Sequence, residues 1–139
     1  MITSKKILVC VTGGIAVYKA VALVRNLTQA GAEVKVMMTP SAMEFVTPLS
    51  FQAMSRNDVY YDTFDEKNSQ VIAHIDLADW ADLVLVAPAT ANTIAKLANG
   101  IADNMVTTTL LATTADVWIA PAMNVHMYDH PAVKRNIEQ

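Results

Sequence analysis

Short apolar runs alternate with longer segments of helical spacing along the chain. The runs "ILVCV" and "LVLVA" are apolar at every position, which is typical of strands covered on both faces of a parallel sheet. In chain order the pattern gives "KILVCV", a helix over 15–30, "VKVMM", a helix over 41–54, "DLVLVA", a helix over 91–98 and "DVWIA". This alternation predicts βαβ units, and therefore an α/β fold: a doubly wound parallel sheet in a flavodoxin-like or Rossmann-like three-layer sandwich.

The first predicted helix is apolar on almost every side and ends before Gly31, where a left-handed cap is expected. A helix that is apolar all round is normally buried all round. One sheet covers only one face of it, so we predict that the outer face contacts a second copy of the chain. The segment "MVTTTLLA" at 105–112 is expected to add weakly polar surface of the same kind.

The composition supports one core and an additional apolar contact surface. A chain of 139 residues has the length of one domain. Hydrophobic residues make up 53% and charged residues 17%, whereas about 45–50% and about 25% are usual. The excess of apolar residues favours a homo-oligomer.

Other features exclude several classes of protein. The apolar runs are too short for a membrane span, and the first of them has no cleavage site of a signal peptide, so we expect a cytoplasmic protein. A net charge of −3 without a basic block argues against nucleic acid as a partner. The single cysteine, Cys10, allows no disulfide framework and is interpreted as buried packing.

Candidate ligand-binding residues follow four of the predicted strands. In open α/β sheets, ligands bind beyond the carboxyl ends of the strands. In "TGGIA", the glycines let backbone N–H groups approach a phosphate at a helix N-terminus, although a plain tight turn explains them as well. In "TPSA", Thr39 and Ser41 offer hydroxyls or simply cap a helix. The segments "APATANT" and "APAMN" follow the later strands with Thr90, Asn92, Thr93 and Asn124.

The residues at these strand ends are small and neutral. They favour a ligand with one phosphate and a polar heterocycle, held by backbone and hydroxyl groups. A mononucleotide such as FMN fits better than a dinucleotide or a nucleoside triphosphate. The reason is that the third glycine of the dinucleotide fingerprint and the lysine of a P-loop are both missing.

The histidines allow catalytic and structural interpretations. His74, in "AHIDLADWAD", is either a proton-exchanging group or a polar residue at the edge of an element. His126 and His130 have the spacing of a zinc-binding helix, but no glutamate accompanies them and Pro131 suggests that a helix begins only there. We therefore expect no metal site.

Taken together, four segments resemble the homo-oligomeric flavin-containing cysteine decarboxylases over nearly the whole chain. They are "VTGGIAVYKA", "HIDLADWAD", "APATANTIAKLANGIADN" and "APAMNVHMYDHP". Within that family the pattern is most similar to domains that decarboxylate 4'-phosphopantothenoylcysteine in coenzyme A biosynthesis. The resemblance implies FMN bound between neighbouring protomers of a trimer, which can assemble further into a dodecamer.

The resemblance also implies roles for individual residues. His74 would be the active-site histidine, acting as base or carboxylate partner, and Asn124 would hold the substrate. The FMN site would be formed by Gly13, Gly14 and Ile15 near the phosphate, by Thr39 and Ser41, by Thr90, Ala91, Asn92 and Thr93, and by Ala122 under the ring.

The chemistry implied by the resemblance is oxidation of the thiol-bearing carbon by FMN, loss of CO2 and reduction of the resulting enethiol. In the family a later flap cysteine donates a proton in the last step, and Cys10 cannot replace it. We therefore expect residues 1–139 to be a single FMN-binding domain, without the flap or a ligase domain, that completes turnover poorly. A flavin prenyltransferase, a peptidyl-cysteine decarboxylase and a non-catalytic flavin-binding regulatory subunit remain as alternatives.

Overall fold

A parallel sheet forms the centre of the computed structural model, which describes residues 3–61 and 76–139. Within these residues the sheet has five strands in the order β3-β2-β1-β4-β5, and every neighbouring pair is parallel. The strands are β1 (Lys6–Val11), β2 (Glu33–Met38), β3 (Val59–Tyr61), β4 (Leu83–Ala89) and β5 (Asp116–Pro121). The predicted α/β class is confirmed.

Helices cover both faces of this sheet. They are α1 (Val17–Gln29), α2 (Pro40–Met43), α3 (Pro48–Ser55), a helical segment at 76–80, α4 (Ala91–Asn99), α5 (Met105–Ala112), α6 (Val125–Asp129) and α7 (Pro131–Glu138). Along β1 the side chains alternate between two cores: Ile7 and Val9 pack with α1 and α3, while Leu8 and Cys10 pack with α4 and α5. The three-layer sandwich predicted from the apolar runs is therefore confirmed.

Helix α1 is buried on one side only. Val17, Ala20 and Val24 face the core, whereas Tyr18 is 63% exposed. The sheet covers one face and nothing in the described residues covers the other, so the predicted contact of this outer face with a second copy stays a prediction. Gly31, beyond the end of the helix, has the expected positive φ of 98°.

The single helix expected over 41–54 is instead two helices, α2 and α3. Pro48 begins the second helix, where a residue without a backbone N–H is tolerated because that N–H would have no helical partner. The residues before it cannot continue the first helix into a proline without a clash. Apolar spacing alone did not reveal this break.

Residues 105–112 form helix α5 and lie in the core, so the expectation that they add exposed surface is wrong. Five of the eight residues are buried: Met105, Val106, Thr107, Thr109 and Leu110. Asn104 caps the helix by accepting the N–H of Thr107 at 2.9 Å, and the Thr107 hydroxyl accepts the N–H of Asn104 at 3.1 Å. This reciprocal capping box fixes the start of the helix.

The carboxyl-terminal part is helical, as predicted from Pro131. His130 caps α7, its Nδ1 accepting the N–H of Ala132 at 3.0 Å, so this ring nitrogen serves the helix rather than a metal. The short helix α6 and the three-residue strand β3 were not predicted. No helix in the part of the chain that the structure describes is long and apolar enough to cross a membrane.

Candidate functional site

The carboxyl ends of β1, β2 and β4 open into a cleft of about 490 Å³, which we call the polar cleft. It lies where the chain turns from one half of the sheet to the other, between β1 and β4, the usual ligand position in open α/β sheets. Its walls are formed by Gly13, Gly14, Thr39, Pro40, Ser41, Thr90, Asn92, Thr93, Lys96, Asp103 and Asn104.

Two glycines shape the turn after β1 for different reasons. A Cβ on Gly13 would lie 2.6 Å from the Cβ of Ser41, so the close approach of the two loops requires glycine. Gly14 has open space around it but a φ of 133°, which side chains rarely tolerate. Among the described residues, no hydrogen bond is made by the backbone N–H groups of Gly14 and Ile15, so both remain available to a ligand.

Threonine side chains at the cleft act as helix caps. The Thr39 hydroxyl accepts the N–H of Ala42 at 3.2 Å, and the Thr90 hydroxyl accepts the N–H of Thr93 at 3.2 Å. Both residues therefore make the ordinary N-cap interaction. The first N–H groups of a helix have no partner within the helix, and they favour an anion near its N-terminus.

Thr12 joins the ends of β1 and β4 behind the cleft. Its hydroxyl donates to the carbonyl of Pro88 and accepts the N–H of Thr90 at 3.0 Å, and its side chain is buried. The backbone N–H of Thr12 also donates to the Pro88 carbonyl, at 3.3 Å. Thr12 thus links the glycine turn to the Thr90 loop, and the sequence analysis did not mark it as a site residue.

The structure also brings charge to the polar cleft. Lys96 on α4 forms an ion pair with Asp103, with 3.0 Å between Nζ and Oδ2, and both residues line the cleft. The sequence analysis considered only the loops after the strands, and it therefore missed Lys96, which lies inside a helix, and its partner Asp103. The position of Lys96 three residues after Thr93, one helical turn along the same face, is the signal that could have found it.

A second cleft of about 550 Å³ continues from the same glycines towards the end of β5, and we call it the apolar cleft. Its walls are Gly13, Gly14, Ile15, Ala16, Tyr18, Lys19, Pro88, Ala122, Met123 and Asn124. Asn124 caps α6, because its Oδ1 accepts the N–H of Met127 at 3.0 Å. The amide nitrogen of Asn124 makes no hydrogen bond within the described residues, so it can still donate to a ligand.

The structure brings together most of the residues predicted for the site. The polar cleft contains Gly13, Gly14, Thr39, Ser41, Thr90, Asn92 and Thr93, and the apolar cleft adds Ile15, Ala122 and Asn124. Ala91 lines neither cleft. His74 lies outside the described residues, so its catalytic role stays a prediction.

Cys10 lines neither of these clefts. It is completely buried on β1, and burial raises the pKa of its thiol from 9.0 to about 12. A thiol in this environment exchanges no proton near neutral pH, which agrees with its interpretation as packing. In the described ranges, no group of three His, Cys, Asp or Glu side chains is gathered in a way that could hold a metal ion.

A Rossmann-like sheet with a polar cleft and an adjoining apolar cleft at the carboxyl ends of its strands is typical of a nucleotide-type cofactor site. The chain belongs to the Flavoprotein family, whose model matches residues 1–139. The family resemblance seen in the sequence is thereby confirmed.

Within this family, the chain is similar to proteins named for coenzyme A biosynthesis and for phosphopantothenoylcysteine decarboxylation. The coenzyme A biosynthesis bifunctional protein CoaBC of Bacillus subtilis (strain 168) is 72% identical over 137 residues, which cover 99% of this chain and 34% of that protein. The probable phosphopantothenoylcysteine decarboxylase of Streptococcus mutans is 50% identical over 136 residues, covering 96% of this chain and 76% of that protein. The chain thus spans about a third of the length of the bifunctional relatives.

A solved structure shares both the fold and a substantial part of the sequence. The FMN-dependent cysteine decarboxylase TvaF of thioviridamide biosynthesis superposes with a TM-score of 0.87 at 36% identity, covering 96% of this chain and 83% of that one.

Proposed function

We propose that the chain binds FMN and decarboxylates 4'-phosphopantothenoylcysteine towards 4'-phosphopantetheine in coenzyme A biosynthesis. The observation that carries the proposal is the meeting of the polar and apolar clefts at Gly13 and Gly14. The relatives named for coenzyme A biosynthesis and for phosphopantothenoylcysteine decarboxylation support the substrate.

The residues of the two clefts suit FMN. The polar cleft offers neutral hydroxyls and helix N-termini, a donor set that binds a phosphate monoester. The apolar cleft, with Ile15, Pro88 and Ala122 in its walls, provides surface for a flat ring. The free N–H groups of Gly14 and Ile15 lie where the two clefts meet. At this position they would donate hydrogen bonds to the hydroxyl-bearing chain of FMN that joins its phosphate to its ring.

The protein's own groups would then position the substrate and move its protons. FMN supplies, when bound, the two-electron oxidation of the thiol-bearing carbon that makes loss of CO2 possible. Asn124 would donate from its free amide nitrogen to the substrate carboxylate, because its oxygen is already occupied by the N–H of Met127. His74 would exchange a proton with the substrate near neutral pH.

Exposed apolar residues at the apolar cleft support the predicted homo-oligomer. Ile15 is 79% exposed and Tyr18 is 63% exposed, and both line this cleft. A second protomer packed on these residues would bury them and close the cleft, in agreement with the expectation of FMN between protomers of a trimer. We propose the cytoplasm as the compartment, because the substrate is a phosphorylated biosynthetic intermediate.

The His74→Asn variant tests the catalytic part of the proposal. We expect the variant to retain FMN while its release of CO2 from 4'-phosphopantothenoylcysteine falls by roughly a hundredfold or more, the usual contribution of a proton-transferring group. The measurements are the visible spectrum of the purified protein and CO2 release under single-turnover conditions. His126→Asn, at an exposed position on α6, is the matched control.

Three results would contradict the proposal in different ways. A folded but colourless protein would exclude the flavin site. Equal CO2 release by native protein and His74→Asn would remove the role of His74. CO2 release from a peptide ending in cysteine, but not from 4'-phosphopantothenoylcysteine, would assign the chain to the peptidyl-cysteine decarboxylases instead.

A further inference from the structure

Lys96 and Asp103 are the charged side chains among the described residues that line the polar cleft. Their ion pair measures 3.0 Å, and the side chains of Lys96 and Asp103 are 21% and 53% exposed. All other described walls of the cleft are neutral. The balance of charge in this cleft therefore depends on two residues.

The loop that carries Asp103 is held in place without the ion pair. Gly100 ends α4 with a φ of 68°, and the N–H of Ile101 donates to the carbonyl of Lys96 at 2.9 Å. At the other end, the N–H groups of Asp103 and Asn104 both donate to the Thr107 hydroxyl at 3.1 Å. Backbone hydrogen bonds thus define the loop, which leaves the ion pair free to serve another purpose.

The neutral groups of the cleft are partly occupied. The side-chain oxygens of Thr90 and Asn104 accept N–H groups of their own helices. A phosphate monoester carries about −1.5 to −2 charges near pH 7, and helix N-termini supply only partial positive charge. The Asp103 carboxylate repels a phosphate as well, and a full positive charge in the cleft offsets part of this repulsion.

We propose that Lys96 supplies this charge and thereby selects FMN over riboflavin, the same flavin without its phosphate. Asp103 weakens phosphate binding, because its carboxylate competes for the Lys96 ammonium. The inference rests on the proposed function, because it assigns a role within the same FMN site.

Two substitutions with opposite expected effects test the assignment. Lys96→Met keeps the length of the side chain and removes its charge, so FMN should bind roughly tenfold to a hundredfold more weakly, the range expected for a lost charge-assisted hydrogen bond. Riboflavin binding should not change. Asp103→Asn should strengthen FMN binding, because the competing carboxylate is gone. The dissociation constants are measured by titrating flavin-free protein and following the quenching of flavin fluorescence.

Matched variants separate charge from general damage. Lys134→Met removes a lysine that pairs with Asp129 at 3.9 Å on the α6–α7 surface, and it should leave both constants unchanged. Lys96→Arg should keep the preference for FMN. Thermal unfolding of each variant in the absence of flavin checks that it is folded.

The possible outcomes are distinct. The assignment is overturned when Lys96→Met keeps the native ratio of FMN to riboflavin affinity, or when it weakens both flavins equally, which would indicate that the ion pair only supports the loop. Weaker FMN binding by Asp103→Asn would contradict it as well, since that variant leaves the lysine in place. A native protein that binds neither flavin would refute the proposed function itself.

Discussion

Gly13 is the residue at which the fold and the site constrain each other most directly. Glycine is required here for steric reasons rather than by the backbone conformation, because a Cβ on residue 13 would lie 2.6 Å from the Cβ of Ser41. The neighbouring Gly14 shows the opposite case, with space but an unusual φ. The sequence predicted a glycine turn at both positions, but it could not distinguish the steric requirement at Gly13 from the conformational requirement at Gly14.

Gly13→Ala should therefore force the β1 and β2 loops apart. We expect a loss of about 1–3 kcal/mol in the free energy of unfolding, the usual cost of overpacking a close contact, together with weaker FMN binding. Urea denaturation and flavin titration measure the two effects. Ser41→Gly in the same chain should restore much of the lost stability, and a Gly13→Ala protein as stable as the native one would show that the loops do not pack this closely.

At the scale of elements, β1, β2, β4 and β5 were predictable because each is a short apolar run between segments of helical spacing, although every residue of β5 is exposed. The three residues of β3 were too few to give a pattern. The break at Pro48 was hidden by the apolar residues on either side of it. Helix α5 was mistaken for surface because its threonines looked polar, although Thr107 and Thr109 are buried.

The site was predictable to the extent that it follows from strand ends. Parallel strands bring their carboxyl ends to one edge, so Gly13, Thr39 and Thr90 had to converge once the strands were assigned. Lys96 and Asp103 reach the same cleft from the side of α4 and from the loop before α5. The spacing from Thr93 could have placed Lys96 on the cleft side of α4, whereas the position of Asp103 depends on how the loop before α5 packs, which no local pattern shows.

The connection between strands β1 and β4 can be tested through Thr12. Thr12→Val keeps the shape of the side chain but leaves the partly buried N–H of Thr90 without its side-chain acceptor, at a cost of about 1 kcal/mol in the free energy of unfolding. We also expect weaker flavin binding, because the Thr90 loop loses its anchor to β1. Chemical denaturation with flavin titration checks both effects.

Thr12→Ser is the control for that experiment, because it keeps the hydroxyl that bridges the carbonyl of Pro88 and the N–H of Thr90. Its flavin affinity should equal that of the native protein. Native-like affinity and stability in Thr12→Val would mean that the two strand ends are positioned without this hydroxyl.

For the whole molecule, the apolar composition is only partly explained by the cores of one chain. Every residue of β5 is exposed, including Trp118 at 63%, and Ile15 and Tyr18 are exposed beside the apolar cleft. Exposed apolar patches of this kind commonly mark contact surfaces. The partner surface indicated by the composition stays a prediction, and the expectation that α5 contributes to it is wrong for the five buried residues of that helix.

Tyr18→Glu tests whether that surface joins protomers across the flavin site. Burying a carboxylate in a largely apolar contact costs free energy, so we expect the variant to sediment as smaller species than the native protein and to retain less FMN, because the apolar cleft would lose its second wall. Analytical ultracentrifugation with flavin content per chain measures both. Tyr18→Phe, which keeps the aromatic ring, should change neither. A native protein that sediments as a monomer and still holds one FMN per chain would show that the two clefts of a single chain suffice, and Ile15 and Tyr18 would then need another explanation.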